Sequence, residues 1–339
     1  MPHQRHGDRN GSDAEGGGRV PPEISRRQAL RLGAGAVAAA ALGPPLGGGR
    51  PAGRAPDGGT PQTALIHRTI PSSGEEIPAV GLGTWQTFDV GESDRERAPL
   101  REVLRSFEEL GGTVVDSSPM YGASQVVLGD LAAELGVLDD LWVATKVWIR
   151  GRQEGIDQME HTMDELRSDP VELMQVHNLR DVDVHLDTLE RWRARGRIRY
   201  TGITTSSGRQ YEEVADLLER ERDRLDFLQV NYSLAERRSA DRLLPMARER
   251  GIAVMINRPF AGGRLFGRVR GRELPTWASE IDCRAWSQIF LKYVLSHPAV
   301  TCAIPATSDP GHLRENMGGG RGRLPDPALR RRMEEAVGG

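Results

Sequence analysis

Three ionisable residues close three successive short apolar runs: Asp116 ends 113–116, Lys146 ends 142–146 and His177 ends 173–177. Tyr121 follows Asp116 by five positions. A charge at the end of an apolar run costs desolvation free energy unless it is paired or put to use. Taken together the four types form a proton-transfer set. An aspartate keeps a lysine charged in a partly dry pocket, and the ammonium lowers the pKa of a nearby tyrosine hydroxyl. A tyrosine brought toward neutrality gives or takes a proton. An adjacent imidazole holds the oxygen being protonated. Neither a metal-binding acidic cluster nor a Ser-His-Asp set with a nucleophile elbow accompanies them, so proton machinery stands without an electrophile of its own. That implies a cofactor for the other half of the reaction. Singly, each residue has a plainer explanation. Lys146 reaches for solvent, Asp116 caps the turn at Ser117 and Ser118, His177 is structural and Tyr121 is packing. Joint placement on one face is what those explanations do not supply.

The elements that must position these residues repeat. Segments 66–70 and 77–80 flank Ser72-Ser73-Gly74-Glu75, a hairpin signal. Eight strand candidates follow at 80–84, 113–116, 142–146, 173–177, 199–204, 227–231, 253–257 and 300–304, with amphipathic helices at 100–110, 125–135, 156–167, 184–195, 210–220, 240–250 and 285–296. Gly111, Gly136, Gly196 and Gly251 sit where a helix C-cap wants a left-handed residue. Strand–helix alternation means a parallel sheet. Eight units predict an α/β fold, a (β/α)8 TIM barrel, with the N-terminal β-hairpin closing the barrel bottom. The competing open doubly wound sheet lacks its G-x-G-x-x-G turn, because no helix follows Gly81-Leu82-Gly83 for some ten residues. In a barrel the catalytic groups lie at the C-terminal strand ends, which here hold Asp116, Lys146, His177, Thr205, Asn231 and Arg258.

These motifs resemble the aldo-keto reductase superfamily. Asp116-Ser117-Ser118-Pro119-Met120-Tyr121-Gly122 is similar to its Asp-to-Tyr motif, Thr145-Lys146-Val147-Trp148 to its lysine strand and Gln175-Val176-His177-Asn178 to its histidine strand. The opening Val80-Gly81-Leu82-Gly83-Thr84-Trp85, the sixth-strand Gln229-Val230-Asn231-Tyr232 and the eighth-strand Ile304-Pro305-Ala306-Thr307-Ser308 are similar as well. The resemblance spans about residues 66–317. It implies metal-free reduction of an aldehyde or ketone with NADP(H), NAD(H) being the alternative nucleotide. Tyr121 then gives the proton, Lys146 and Asp116 tune it, and His177 orients the carbonyl. Thr204, Thr205 and Gln229 fall at the carboxamide, and Pro259, Phe260 and Gly262 in the loop over the pyrophosphate. Thr307, His312, Glu315 and Asn316 fall at the adenosine end, where Ala306 and His312 replace the usual basic residues. Asn257 stands where many members stack a tyrosine. Trp85, Trp148 and His177 line the substrate pocket. Two other classes stay open: a nicotinamide-nucleotide-binding sensor or regulatory subunit with slow turnover, and a cofactor-independent barrel isomerase.

The 339 residues carry a formal charge of −3, which gives no basic footprint for nucleic acid. The two cysteines cannot build a disulfide framework or a zinc site. Only two of the 45 basic residues are lysines, Lys146 and Lys292, each inside an apolar run. Residues 1–62 are Gly-, Pro-, Ala- and Arg-rich without amphipathic period, and the barrel is expected over 63–339. Within that segment Arg26-Arg27 precede the uncharged run 32–43, too short to span a bilayer. The pair resembles a twin-arginine export signal. The expectation is an exported, periplasmic or extracellular monomer that engages the export machinery and binds a small carbonyl substrate, without stable membrane insertion. If the segment is only a tail, the chain is cytoplasmic.

Overall fold

A computed structural model describes residues 64–337. The arginine pair, the apolar run after it and the boundary expected at residues 62/63 lie outside the described residues. Strands β1 (His67–Thr69) and β2 (Glu76–Pro78) pair antiparallel, Thr69 facing Glu76. The main sheet comprises β3 (Leu82–Gly83), β4 (Val114–Asp116), β5 (Trp142–Val147), β6 (Val171–His177), β7 (Ile198–Thr204), β8 (Phe227–Asn231), β9 (Ala253–Asn257) and β10 (Val300–Ala303). Each strand bonds in parallel to the next in chain order. The first and last meet through parallel bridges Val80–Ala303 and Gly83–Ala306, with the Gly81 N–H donating to the Ala303 carbonyl at 2.9 Å. The sheet therefore closes into a barrel. The glycines of Gly81-Leu82-Gly83 belong to that closure. A Cβ on Gly81 would lie 2.7 Å from the Val114 carbonyl, and one on Gly83 2.8 Å from the Ile304 carbonyl.

Helices α1 (Asp94–Glu109), α2 (Ser124–Leu135), α3 (Arg152–Leu166), α4 (Val182–Ala194), α5 (Tyr211–Arg220), α6 (Leu243–Glu249), α7 (Arg264–Arg268), α8 (Trp286–Leu295), α9 (Pro310–Gly319) and α10 (Pro327–Val337) follow the strands. The four expected cap glycines all have φ between +68° and +83°. Helix α1 starts six residues before the sequence expectation. Ser93 accepts from the Glu96 N–H and its hydroxyl reaches the Glu96 carboxylate, a capping box that outweighs the breaking signal of Pro99 in the early turns. Ala240 falls in a short 3-10 turn instead of α6. Helix α10, not anticipated, buries Leu329, Met333 and Val337, one residue per helical turn.

The strand period of two decides what sits inside the barrel. On one parity are Val114, Trp142, Ala144, Leu173, Tyr200, Phe227, Ala253, Met255 and Cys302, which form a buried apolar cluster together with Ile304 and with Ile70 and Ile77 of the hairpin. The opposite parity, Val115, Val143, Met174, Val176, Ile203, Leu228, Val230 and Val254, faces the helices in the main core. Continue the inward parity toward the strand ends and it turns polar: Asp116, Lys146, Gln175, His177, Thr204, Gln229, Asn231 and Asn257. Apolar packing fixes the columns, and their upper ends carry the chemistry. Lys292 is also fully buried, and its ammonium donates to the carbonyls of Ile281, Arg321 and Arg323 at 2.5–3.0 Å. Three donors meet three acceptors, which explains a lysine inside the apolar run of α8 as a tie to the segment before α10.

Candidate active site

Asp116 and Lys146 stand on adjacent strands β4 and β5. The Lys146 ammonium donates to Asp116 Oδ2 and to the Ser117 carbonyl, each at 2.7 Å, and the lysine is wholly buried. The other carboxylate oxygen, Oδ1, accepts from Gln229 Nε2 at 2.8 Å and from Gln175 Nε2 at 3.5 Å. An aspartate so surrounded by donors is fixed in place. Burial alone would lower the Lys146 ammonium, but Asp116 and Tyr121 outweigh it and hold its pKa above the ordinary lysine value. The lysine stays charged.

Tyr121 lies in the turn between β4 and α2, half-buried, with its ring centroid 5.1 Å from Lys146 Nζ. Asp89 anchors this turn by accepting from the Ala123 N–H at 2.9 Å. The His177 ring meets the tyrosine edge-on, at 6.3 Å between centroids and 83° between planes. Here the structure corrects the sequence expectation about the hydroxyl. Burial is the largest influence on it and raises its pKa. Lys146 pulls it down, and the net result is above the ordinary tyrosine value rather than near neutrality. The hydroxyl is held in its acid form. Burial, and then the charge of Lys146, push His177 down to about 3, so its imidazole is neutral. His177 Nδ1 lies 3.3 Å from the Thr204 hydroxyl. A hydroxyl donating there leaves Nε2 with the proton.

The remaining expected residues divide. Thr204 serves His177, and Thr205 Oγ1 donates into its own loop, to Ser207 O and Gln210 Oε1. Gln229 is committed to Asp116. Pro259 is buried, Gly262 is exposed with φ +66°, and Phe260 stacks edge-on against Phe266 and Phe290. Thr307 caps its turn by accepting from the Asp309 N–H, while His312 and Glu315 are exposed and Asn316 is buried. Ser287 donates to Glu315, and Arg314 is tied to Ser106. Trp85 is 42% exposed, with the Arg258 guanidinium carbon 5.9 Å from its ring centroid. Over Trp148 the Arg180 guanidinium carbon sits at 4.7 Å.

Two further observations mark this rim. Among the described residues, six of the eight non-glycine residues with left-handed backbone, Gln86, Asn178, Leu179, Asp181, Arg258 and Ala261, lie in loops that leave the C-terminal strand ends. Such strain concentrates at functional sites. Asn231 Oδ1, Asn257 Oδ1 and Gln175 Oε1 are buried there without a partner. Orphaned acceptors on a barrel rim fit a ligand that brings N–H or O–H donors, as a carboxamide does. The sequence reading did not assign a role to Gln175, although the two-residue alternation from His177 points to it. Among the described residues no three His, Cys, Asp or Glu side chains come together as a metal site.

Comparisons with known proteins bear on this geometry. A sequence model described as "Aldo/keto reductase family" matches residues 79–331. Methylglyoxal reductase YeaE of Escherichia coli (strain K12) is 28% identical over 260 residues, covering 74% of this chain and 89% of that protein. The structure of an aldo/keto reductase from Klebsiella pneumoniae in complex with NADP and acetate is similar with a TM-score of 0.68 and 23% identity, over 80% of this chain and 95% of that one. The holo form of aldo-keto reductase AKR11C1 from Bacillus halodurans has a TM-score of 0.65 and 21% identity, over 80% and 96% of the two chains.

Proposed function

The chain belongs to the aldo/keto reductase family, and from that premise we propose that it is an NADP(H)-dependent oxidoreductase that reduces an aldehyde or ketone to the alcohol. The carrying observation is the buried Lys146–Asp116 pair at 2.7 Å beside Tyr121, with a neutral His177 edge-on to the tyrosine. When bound, the nicotinamide supplies the hydride for the carbonyl carbon. Asn257 and Asn231, with orphaned oxygens on the rim, are the residues that would hold its carboxamide end, while Thr204, Thr205 and Gln229, expected there from the resemblance, are engaged by His177, by the Ser207 turn and by Asp116. The 259–263 loop and Thr307, His312, Glu315 and Asn316 would hold the rest, with NAD(H) as the alternative nucleotide.

The residues of the chain then divide the work. His177, neutral and with Nε2 protonated by virtue of Thr204, donates to the carbonyl oxygen and orients it. Tyr121 gives that oxygen its proton. Lys146 stabilises the phenolate left behind, and Asp116 keeps the lysine charged and pointing at the hydroxyl. Trp85 and Trp148 wall the substrate pocket. We read the β1–β2 hairpin as the plug of the barrel floor. The test is oxidation of NADPH, followed by its absorbance, with a panel of aldehydes and ketones. Turnover dependent on both carbonyl and nucleotide supports the reading, and a silent panel sinks it.

The pKa directions give a second check. Reduction needs Tyr121 protonated and His177 neutral. The tyrosine is raised, so its acid form persists below an already high value, and the imidazole at about 3 is neutral above that. The profile of kcat/KM for reduction is therefore expected to be flat between about pH 5 and 9. An acidic limb centred near the ordinary histidine value of about 6.5 would contradict a neutral His177.

Export is proposed on sequence grounds alone, from Arg26-Arg27 and the run that follows. Folded, cofactor-loaded transport would deliver a holoenzyme to a compartment poor in nucleotides. Replacing both arginines by lysine is expected to leave precursor-length protein in the cytoplasm on fractionation. Normal export of that variant would reduce residues 1–62 to a tail.

A further inference from the structure

We propose that the substrate pocket takes a carbonyl compound bearing an anionic group, a carboxylate or a phosphate, and that Arg180 binds the anion. The proposal rests on the reading of this mouth as a carbonyl-reducing site and names its substrate class. Arg180 is three residues beyond His177, and its N–H donates to the His177 carbonyl at 3.2 Å. Around it Asn178, Leu179 and Asp181 have φ of +50°, +56° and +53°. Left-handed backbone is unfavourable for an L-residue at each position. What this conformation achieves is to lay the Arg180 guanidinium on the Trp148 ring, 4.7 Å from its centroid. Trp148 directly follows β5, two residues past Lys146, and so starts the loop at the C-terminal end of that strand.

The guanidinium keeps donors without a partner among the described residues. Its Nε is buried and unbonded. Sixteen of the 35 described arginines pair with a carboxylate, as in Arg97–Asp130, Arg101–Glu134 and Arg197–Glu160. Arg180 pairs with none among the described residues. Even the adjacent Asp181 is turned away, its carboxylate accepting from the Gly151 N–H at 2.8 Å. Stacking on an aromatic ring is a weak interaction, and it leaves the in-plane donors unused. A planar fork with free donors matches a carboxylate or phosphate. Arg258, exposed with its guanidinium carbon 5.9 Å from the Trp85 ring centroid, also makes no ion pair among the described residues and adds to the positive field.

The test uses the full chain with saturating NADP+. Benzoate, phenyl phosphate and neutral benzamide are titrated against tryptophan fluorescence. In parallel, kcat/KM is measured for para-carboxybenzaldehyde and para-carbamoylbenzaldehyde. A charge-assisted hydrogen bond of about 1.5–3 kcal/mol corresponds to roughly 10–100-fold preference for the anion over the amide, in binding and in turnover. Arg180→Met should collapse both ratios to near unity, and Arg180→Lys should keep part of them; thermal melts confirm that both variants fold. Tighter binding of phenyl phosphate than of benzoate assigns the anion as phosphate, and the reverse assigns it as carboxylate. A wild-type ratio near unity, or a ratio that survives in Arg180→Met, overturns the proposal. If neither aldehyde turns over while benzoate binding still depends on Arg180, the carbonyl-reduction reading fails and the anion site stands.

Discussion

Tyr121→Phe is expected to lower kcat/KM for carbonyl reduction by about 10³-fold while nucleotide affinity changes by less than about threefold, because loss of a positioned general acid typically costs 10²–10⁴ in rate. The variant removes one oxygen and keeps the ring. The edge-on contact with His177 and the packing against the turn held by Asp89 should therefore survive. Since the hydroxyl is raised above its ordinary value, the wild-type group is fully protonated at neutral pH, and no other side chain can take its place. His177 is the nearest alternative, but at about 3 it has no spare proton to give. Steady-state kinetics and a fluorescence titration of NADPH on the same preparation check both halves. Turnover within tenfold of wild type would mean that solvent or another group protonates the alkoxide, and that the Lys146–Asp116 pair serves something else.

Much of this arrangement could be read from the chain, because barrel strands are apolar runs whose ends are marked by a change of residue type. Strand β5 was legible since Trp142-Val143-Ala144-Thr145 can only be buried, which places Lys146 at a strand end. Helix α10 was not, because three apolar residues spaced by four in a short Arg-rich stretch give a weak period. The fate of the tyrosine pKa was also hidden. Residue types show that an ammonium will be near, but only the fold shows how much water is excluded, and here exclusion prevails. The third kind of miss concerns distance in sequence. Gln229 reaches Asp116 across 113 positions, and Arg180 covers Trp148 from the next strand's loop. Neither contact has a local signature.

Lys146→Met should lose both stability and activity, and the two losses are separable. Removing the ammonium strands the Asp116 carboxylate, which is 2% exposed, with only the amides of Gln229 and Gln175 as donors. Breaking a buried pair from one side typically costs about 3–5 kcal/mol. That should be read as a lower midpoint in urea denaturation with an unchanged slope. The double variant Asp116→Asn with Lys146→Met leaves neither charge of this pair in the barrel. Replacing both partners of such a pair is often close to neutral, so most of the lost stability should return. Activity should not. Without the ammonium, the Tyr121 hydroxyl loses the one neighbour that stabilises its phenolate, burial acts unopposed, and kcat/KM should fall about as far as in Tyr121→Phe. A double variant no more stable than the single one would mean that the pair is held by packing rather than by its charges. A double variant that recovers activity along with stability would reduce Lys146 to a scaffold residue and leave Tyr121 to work without it.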